Sequence, residues 1–505
     1  MMLRRHPILT VFLSVITLLV GFSWWALHDG VVVLPGGTAV DFSMALQVLS
    51  GDEVAPLAEA ELKDRMQLPE GFDIEIWATG IPNARLMAVT DTGDLLVSSP
   101  REGKVFLLAR GADGTATGAD VLLEGLDRPH GLALHDGWLY IGEGSGVSRI
   151  RFAASKRATS GVPEKIVSGL AEGGNHWSKT VHVGPDNRLY VALGSSCNVC
   201  EETETRAAML RYELDGSNGI TYATGLRNAV DFAWQPQTGV LYATDNGRDL
   251  LGDDDPPCEL NAVVEGGFYG WPYVNGAGHP DPDFGGLAPD KAASAIDPTH
   301  EFPAHTAPLG IAFYDGEAFP QRYRGAAFVA LHGSWNRSTK AGFEVVAVHF
   351  QADGSTSQEP FLTGFEVDEQ VSGRPVGVAV GPAGELFVSD DYTGSIYRIV
   401  HGEFEGSGAA LMATTSQTPD TVNLTPAERE RALVSGENLW TQNGCAACHV
   451  DGEADAAPNI LVELDARYDA ASLSQFLLVP QPPMPLYPFS AEERTALAVY
   501  LLAEF

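Results

Sequence analysis

From Leu68 to about Ile399 the chain alternates short apolar runs with turns rich in Gly, Asp and Pro. The segment from Arg85 to Ser99 and the segment from Gly377 to Asp390 share one form: an apolar strand, a tight turn, and a second apolar strand. The form returns at His130–Glu143, Thr180–Gly194, Arg227–Asp245 and Leu309–Gly333. Apolar runs of strand length bounded by turn residues predict β-hairpins. The second strands centre near Leu96, Tyr140, Tyr190, Tyr242, Phe328 and Phe387, mostly ~44–59 residues apart, with one longer gap around Gly252–His305. That period in an all-β stretch is the period of propeller blades, and there are six of them. A pair of β-sandwiches is the alternative, but sandwiches do not usually repeat one hairpin motif six times.

The repeats also locate a site. Each first strand ends on an apolar residue: Val89, Leu134, Val183, Trp234, Phe313 or Val380. Four to seven residues earlier stand Arg85, His130, His176, Arg227, Thr306 and Arg374. Equivalent positions of propeller blades converge on one mouth of the central channel. A ring of cationic and polar groups there suits a planar polyanion.

The flanking segments read differently. Residues 1–30 carry Arg4 and Arg5 before an apolar run from Ile8 to Leu27, ending in Trp24 and Trp25 at the far side. Twenty helical residues span ~30 Å, the thickness of the hydrocarbon layer. The expectation is a transmembrane anchor that is not cleaved, with the body outside the cytoplasm. Residues 31–67 are a spacer with a short helix near Leu57–Met66, residues 68–400 the propeller, and 401–423 a Gly/Ser/Thr-rich linker. Residues 424–505 form a small all-α domain. Its first helix opens at Thr425 to Glu428 as a capping box, and its last opens at Ser490 to Glu493. Gly436 and Trp440 share one helical face, and Gly436 lets the last helix approach closely.

That small domain holds Cys445-Ala-Ala-Cys-His449. Two thiols separated by two residues, followed by His, form the attachment signature of haem c. Cys445 and Cys448 would bond the porphyrin and His449 would bind the iron. Met484, in a stiff Pro-rich segment, is the methionine available for the other haem face. A haem-bearing tail directs attention to redox chemistry upstream. Haem attachment by this motif and the N-terminal anchor both point to the periplasm.

Charge removes some partners. With 66 acidic against 31 basic residues the formal charge is −35, which disfavours nucleic acid and anionic membrane surfaces. Outside the haem motif stand Cys197, Cys200 and Cys258. Cys197 and Cys200 lack a second pair for a four-ligand zinc site, so a local disulfide or plain loop thiols are expected, with Cys258 a competing partner.

Three segments carry a resemblance: Gly174-Asn-His-Trp-Ser-Lys-Thr180; Thr224-Gly-Leu-Arg-Asn228 with Asp245-Asn-Gly-Arg-Asp249, Glu259-Leu-Asn261 and Gly266–Pro272; and Gly373-Arg-Pro-Val-Gly377. Together they resemble the six-bladed quinoprotein sugar dehydrogenases of the sorbosone and pyranose dehydrogenase type, which use pyrroloquinoline quinone (PQQ) with Ca2+. The resemblance implies that His176 is the general base taking the hydroxyl proton while hydride passes to the quinone. It implies that Arg227 and Asn228 hold the quinone oxygens, that Arg374 pairs with a carboxylate, and that backbone oxygens of Gly247 and Arg248 bind calcium. Trp335 would stack on the quinone, and Arg337 would supply a cation where the glucose-oxidising branch has Lys. That branch also carries Gln near the position of His130. The two differences speak against glucose itself.

The expected protein is a membrane-anchored periplasmic dehydrogenase of an aldose, pyranose, polyol or aldehyde. Electrons would pass from PQQ to its own haem and on to a soluble cytochrome or a membrane quinone system. A calcium-dependent propeller lactonase is one rival, but it needs clustered carboxylates at the channel mouth. A non-enzymatic propeller carrying an electron-transfer cytochrome is the other.

Overall fold

A computed structural model describes residues 54–203, 205–404, 426–442 and 491–504, together with Val31–Val33, Ala39–Asp41, Leu411–Met412 and residues 464, 470, 473, 474 and 477. The anchor segment 1–30, the haem motif and Met484 lie outside the described residues. Among the described residues no helix is long and apolar enough to cross a membrane.

Six antiparallel sheets make up the larger unit. Their first strands are Met87–Val89, Leu132–His135, Lys179–Val183, Ala229–Trp234, Pro308–Phe313 and Pro375–Val380. Their second strands are Leu95–Ser99, Trp138–Glu143, Leu189–Leu193, Leu241–Asp245, Ala327–Leu331 and Leu386–Asp390. Each second strand contains the apolar centre read from the repeat. The first strand of every blade packs against those of its two neighbours, and the cycle closes from blade 6 to blade 1. Blade 6 takes Phe72–Thr79, from the start of the propeller, as a strand antiparallel to Ser395–His401. This joins the two ends of the propeller and leaves no open first or last blade.

Burial explains the pattern. Second strands are buried almost throughout because they lie between neighbouring blades, as in Leu95, Leu96 and Val97 or Ala327 to Leu331. Near the axis there is room only for small residues. A Cβ on Gly131 would lie 2.5 Å from the Val181 nitrogen of the next blade. The first strands of blades 4, 5 and 6 break register at their mouth ends, between Ala229 and Phe232, Pro308 and Ile311, and Pro375 and Val378. Bulges at such positions re-aim side chains toward a site.

Two expected boundaries move. The spacer is in part structural: helix Glu59–Arg65 buries Leu62, Met66 joins the same core, and Gln67 bridges Thr363. Within the expected linker, Leu411–Met412 pairs in parallel with Ala78 and Thr79. Compact units divide at Ala413 and Thr414.

The smaller unit contains helices Pro426–Gln442 and Ala491–Glu504. A Cβ on Gly436 would lie 2.3 Å from Ala496 O and 2.5 Å from Tyr500 Cβ. Gly436 therefore marks the crossing, and Trp440, Leu497 and Leu501 are buried around it.

Candidate functional site

At the converging ends of the first strands lies a cavity of about 510 Å3, within the usual range for a cofactor-sized ligand. Arg85, His130, His176, Arg227, Asn228, Gly247, Trp335 and Arg374 all line it. So do Asn246, His305, His332 and Asn336, which the repeat did not single out.

His176 sits on the segment between Ala171 and Lys179. Two buried cations secure that segment through backbone oxygens. Lys179 Nζ donates to Ala171 O at 2.9 Å and Trp177 O at 2.7 Å, while Arg206 Nη2 donates to Glu172 O at 2.9 Å and Gly173 O at 2.8 Å. Behind the ring is Gly194, where a Cβ would lie 2.4 Å from His176 Cβ and 2.7 Å from Asn228 Oδ1. The tautomer follows from the partners. His176 Nδ1 faces Ser195 O at 3.1 Å and Ser195 Oγ at 2.8 Å, and that hydroxyl already donates to Cys197 O at 2.7 Å. Nδ1 must carry the proton, which leaves Nε2 bare. Burial, then the Arg227 charge, holds the imidazole down to about 3.

Arg227 has no donor to offer. Nε donates to Asn198 O at 2.9 Å, Nη1 to Asn246 O at 3.0 Å and Gly247 O at 2.7 Å, and Nη2 to Asn198 Oδ1 at 2.8 Å and Asp249 Oδ2 at 2.9 Å. All five guanidinium hydrogens are engaged. In this arrangement Arg227 clamps the Ser195–Cys200 loop to the Asn246–Asp249 loop. A Cys197–Cys200 disulfide closes the first of these loops, and Cys258 is a free, buried thiol.

Blades 5, 6 and 1 contribute a linked set. Arg374 Nη2 donates to His332 Nδ1 at 2.9 Å, His332 Nε2 lies 3.0 Å from Asp391 Oδ1, and Arg85 Nη1 donates to Asp391 Oδ2 at 2.7 Å. Burial and the Arg374 charge push His332 down to about 4. Burial alone would raise the Asp391 carboxyl, but His332, Arg374 and Arg85 together hold it well below the ordinary carboxylate range.

Two expected cavity residues, Thr306 and Arg337, are not among those lining it. Thr306 is buried, but its hydroxyl donates back to Pro303 O at 2.8 Å and does not line the cavity. Its neighbours His305 and Ala307 line the wall, each with positive φ. Arg337 turns to the carbonyl of Asp253, to Ala304 O at 3.3 Å and to Asp254 Oδ1 at 3.3 Å. An acidic turn at Asp253 and Asp254 thus takes this cation. Arg248 directs its side chain to Asp281 at 2.7 Å and Asp283 at 3.0 Å, and these bonds leave its backbone oxygen, the expected calcium ligand, unengaged.

What could the cavity hold? Its lining includes buried polar atoms without a protein partner: His130 Nε2, Asn246 Oδ1, both amide atoms of Asn336, and Arg374 Nε. Orphaned buried polar groups are costly unless a ligand or water meets them. His130 Nε2 is a bare acceptor, because Nδ1 faces the Thr180 hydroxyl at 3.3 Å and that hydroxyl donates to Val230 O. Unpartnered donors and acceptors, two cations and an exposed indole at Trp335 fit a flat, polar, carboxylated ring system such as PQQ. Gly247 O accepts from Arg227 Nη1 and keeps a second lone pair, so the expected backbone site for a divalent cation remains open there.

The TrAA12-like family profile matches residues 66–261 and 290–402. The chain is 30% identical over 369 residues to an uncharacterized protein of Borreliella burgdorferi, covering 68% of this chain and 93% of that one. It is 24% identical over 402 residues to a pyrroloquinoline quinone-dependent sugar dehydrogenase of Hypocrea jecorina, covering 67% and 90%. Among solved structures, the holo form of the pyranose dehydrogenase PQQ domain from Coprinopsis cinerea matches with TM-score 0.58 at 22% identity, over 66% of this chain and 97% of that one. That likeness is one of fold.

Proposed function

The chain belongs to the TrAA12-like family, and on that premise we propose that it oxidises an aldose, pyranose or related polyol or aldehyde with PQQ. The observation that carries this reading is one cavity that joins unpartnered cationic and amide groups to an imidazole of fixed tautomer. PQQ, when bound, supplies the two-electron acceptor. Arg374 and Arg85 would hold its carboxylates. Asn228, Asn336, Asn246 and His130 offer the remaining polar contacts, and Trp335, 40% exposed at the rim, offers an aromatic face. His176 Nε2, left bare because Nδ1 carries the ring proton, takes the substrate's hydroxyl proton. Arg227 fixes the two loops beside that ring and adds positive potential. Backbone oxygens of Gly247 and Arg248 would hold Ca2+, which when bound would polarise the quinone.

The reading extends to both ends of the chain. Cys445 and Cys448 attach haem c, His449 and Met484 bind its iron, and this unit receives electrons for a soluble cytochrome or a membrane quinone system. Residues 1–30 anchor the chain in the inner membrane with its body in the periplasm. The lactonase reading is disfavoured because, among the described residues lining the cavity, Asp249 is the one carboxylate and it is paired with Arg227.

Dye reduction by the PQQ-loaded chain across a panel of aldoses and polyols, repeated with His176→Ala, tests the assignment. The variant should retain PQQ and lose turnover by roughly 10²–10⁴-fold. Wild-type turnover in that variant would remove His176 from the mechanism.

A further inference from the structure

We propose that His332 and Asp391 are a positioning pair that sets the guanidiniums of Arg85 and Arg374 as one clamp for the acidic groups of the ligand. The inference rests on the PQQ reading above and deepens it. Three blades supply the four groups. Arg85 precedes the first strand of blade 1, Arg374 that of blade 6, Asp391 follows the second strand of blade 6, and His332 follows that of blade 5.

Every bond direction in the set is determined. A guanidinium only donates, so the His332 Nδ1 that meets Arg374 Nη2 at 2.9 Å is the bare nitrogen. The ring proton is therefore on Nε2 and points to Asp391 Oδ1 at 3.0 Å. The other carboxylate oxygen, Oδ2, takes Arg85 Nη1 at 2.7 Å. His332 and Asp391 are each about nine-tenths buried at the side chain, so neither rotates freely. At the end of this chain Arg374 Nε is buried and has no protein partner.

The carboxylate is the informative member. A site that had only to attract an anion would exclude a negative charge, because Asp391 offsets one of the two cations beside it. Its position is explained by geometry instead. A carboxylate accepts from two donors at once, and here it ties Arg85 to the histidine that holds Arg374. Charge is given up for orientation, which is what bidentate recognition of carboxylates by arginine requires.

Charge and orientation predict opposite signs for Asp391→Asn. The substitution removes a negative charge, so an electrostatic role alone predicts tighter PQQ binding. Asn keeps a single side-chain acceptor, so either Arg85 or His332 loses its partner, and the positioning pair predicts weaker binding by roughly tenfold or more. Calorimetric titration of the full-length chain with PQQ measures this, alongside thermal unfolding. Unchanged or tighter binding in Asp391→Asn, with normal binding by the wild type, would overturn the pair alone. A wild-type chain that takes up no PQQ would overturn the quinone reading and the pair with it.

If Asp391→Asn does not fold, His332→Gln against His332→Leu decides the matter. Gln offers one acceptor and one donor and should keep affinity within roughly threefold, while Leu should lose roughly tenfold or more. Equal affinity in the two variants would contradict the proposal.

Discussion

Arg227 and Arg374 occupy the same place in two blades, just before the first strand, and the structure uses them in opposite ways. Every hydrogen of Arg227 is engaged by the loops on either side of it. Arg374 makes one side-chain bond, to His332, and leaves Nε buried without a partner. The first arginine is therefore part of the wall, and the second keeps a donor for whatever the cavity holds. Repeat position brings a residue to the channel mouth, but the neighbouring loops decide whether its donors remain available.

The largest expected effect breaks the wall. Arg227→Ala strands the Asn198, Asn246 and Gly247 acceptors and leaves the Asp249 carboxylate without its partner. Urea denaturation should show a loss of about 3–5 kcal/mol, as for removal of one member of a buried pair. Arg374→Ala should cost far less, about 1 kcal/mol for one lost bond, while PQQ affinity falls roughly 10–100-fold because charge-assisted bonds to the ligand are lost. Should Arg374→Ala destabilise the fold as much as Arg227→Ala and leave PQQ binding unchanged, the two roles are reversed.

The disulfide loop sharpens the contrast from the Arg227 side. Cys197 and Cys200 close the loop whose Asn198 receives two of the Arg227 donors. Replacing both by Ser should lower stability by about 2 kcal/mol, the loop-closure figure for so short a loop. PQQ affinity should change less than in Arg374→Ala.

The pH dependence is the smallest effect and belongs to the Arg374 side. His332 has its folded pKa depressed from 6.5 to about 4. A depressed group contributes stability that is present above the unfolded value and is lost as pH falls from 6.5 through 4. Protonating Nδ1 also removes the acceptor for Arg374, so PQQ binding to the folded chain should weaken only as pH approaches 4, where the folded His332 itself protonates. His130 and His176, also depressed, add stability loss of the same sign. In His332→Gln the share due to His332 should disappear. An acid limb for PQQ affinity identical to that of the wild type would exclude His332 as its source.

Much of the architecture was legible because a propeller writes itself as a repeat. Each second-strand centre lies within an observed strand, and Gly436 stands where the two C-terminal helices cross. The site was half legible, for a geometric reason. Residues before first strands bring Arg85, His130, His176 and Arg374 to the cavity. An antiparallel hairpin returns to the end it left, so residues just after second strands reach the same mouth: His332 after Leu331, Asp391 after Asp390, Asn246 after Asp245. That second phase could have been read from the same repeat. Other features could not. Thr306 has the right position, but His305 and Ala307 in left-handed conformations take the wall while its hydroxyl closes on Pro303 O. Arg337 follows Trp335 closely in sequence, yet a distant acidic turn captures it. The saturation of Arg227 depends on five carbonyl and side-chain oxygens from two loops, which no local pattern encodes.

The most direct test of the central claim is the absorption spectrum of the full-length chain reconstituted with PQQ during addition of single aldoses and polyols. The account predicts a reduced c-type haem spectrum that develops only when PQQ and an oxidisable sugar are both present. A haem that stays oxidised across a broad panel, in protein that retains no PQQ, would contradict it.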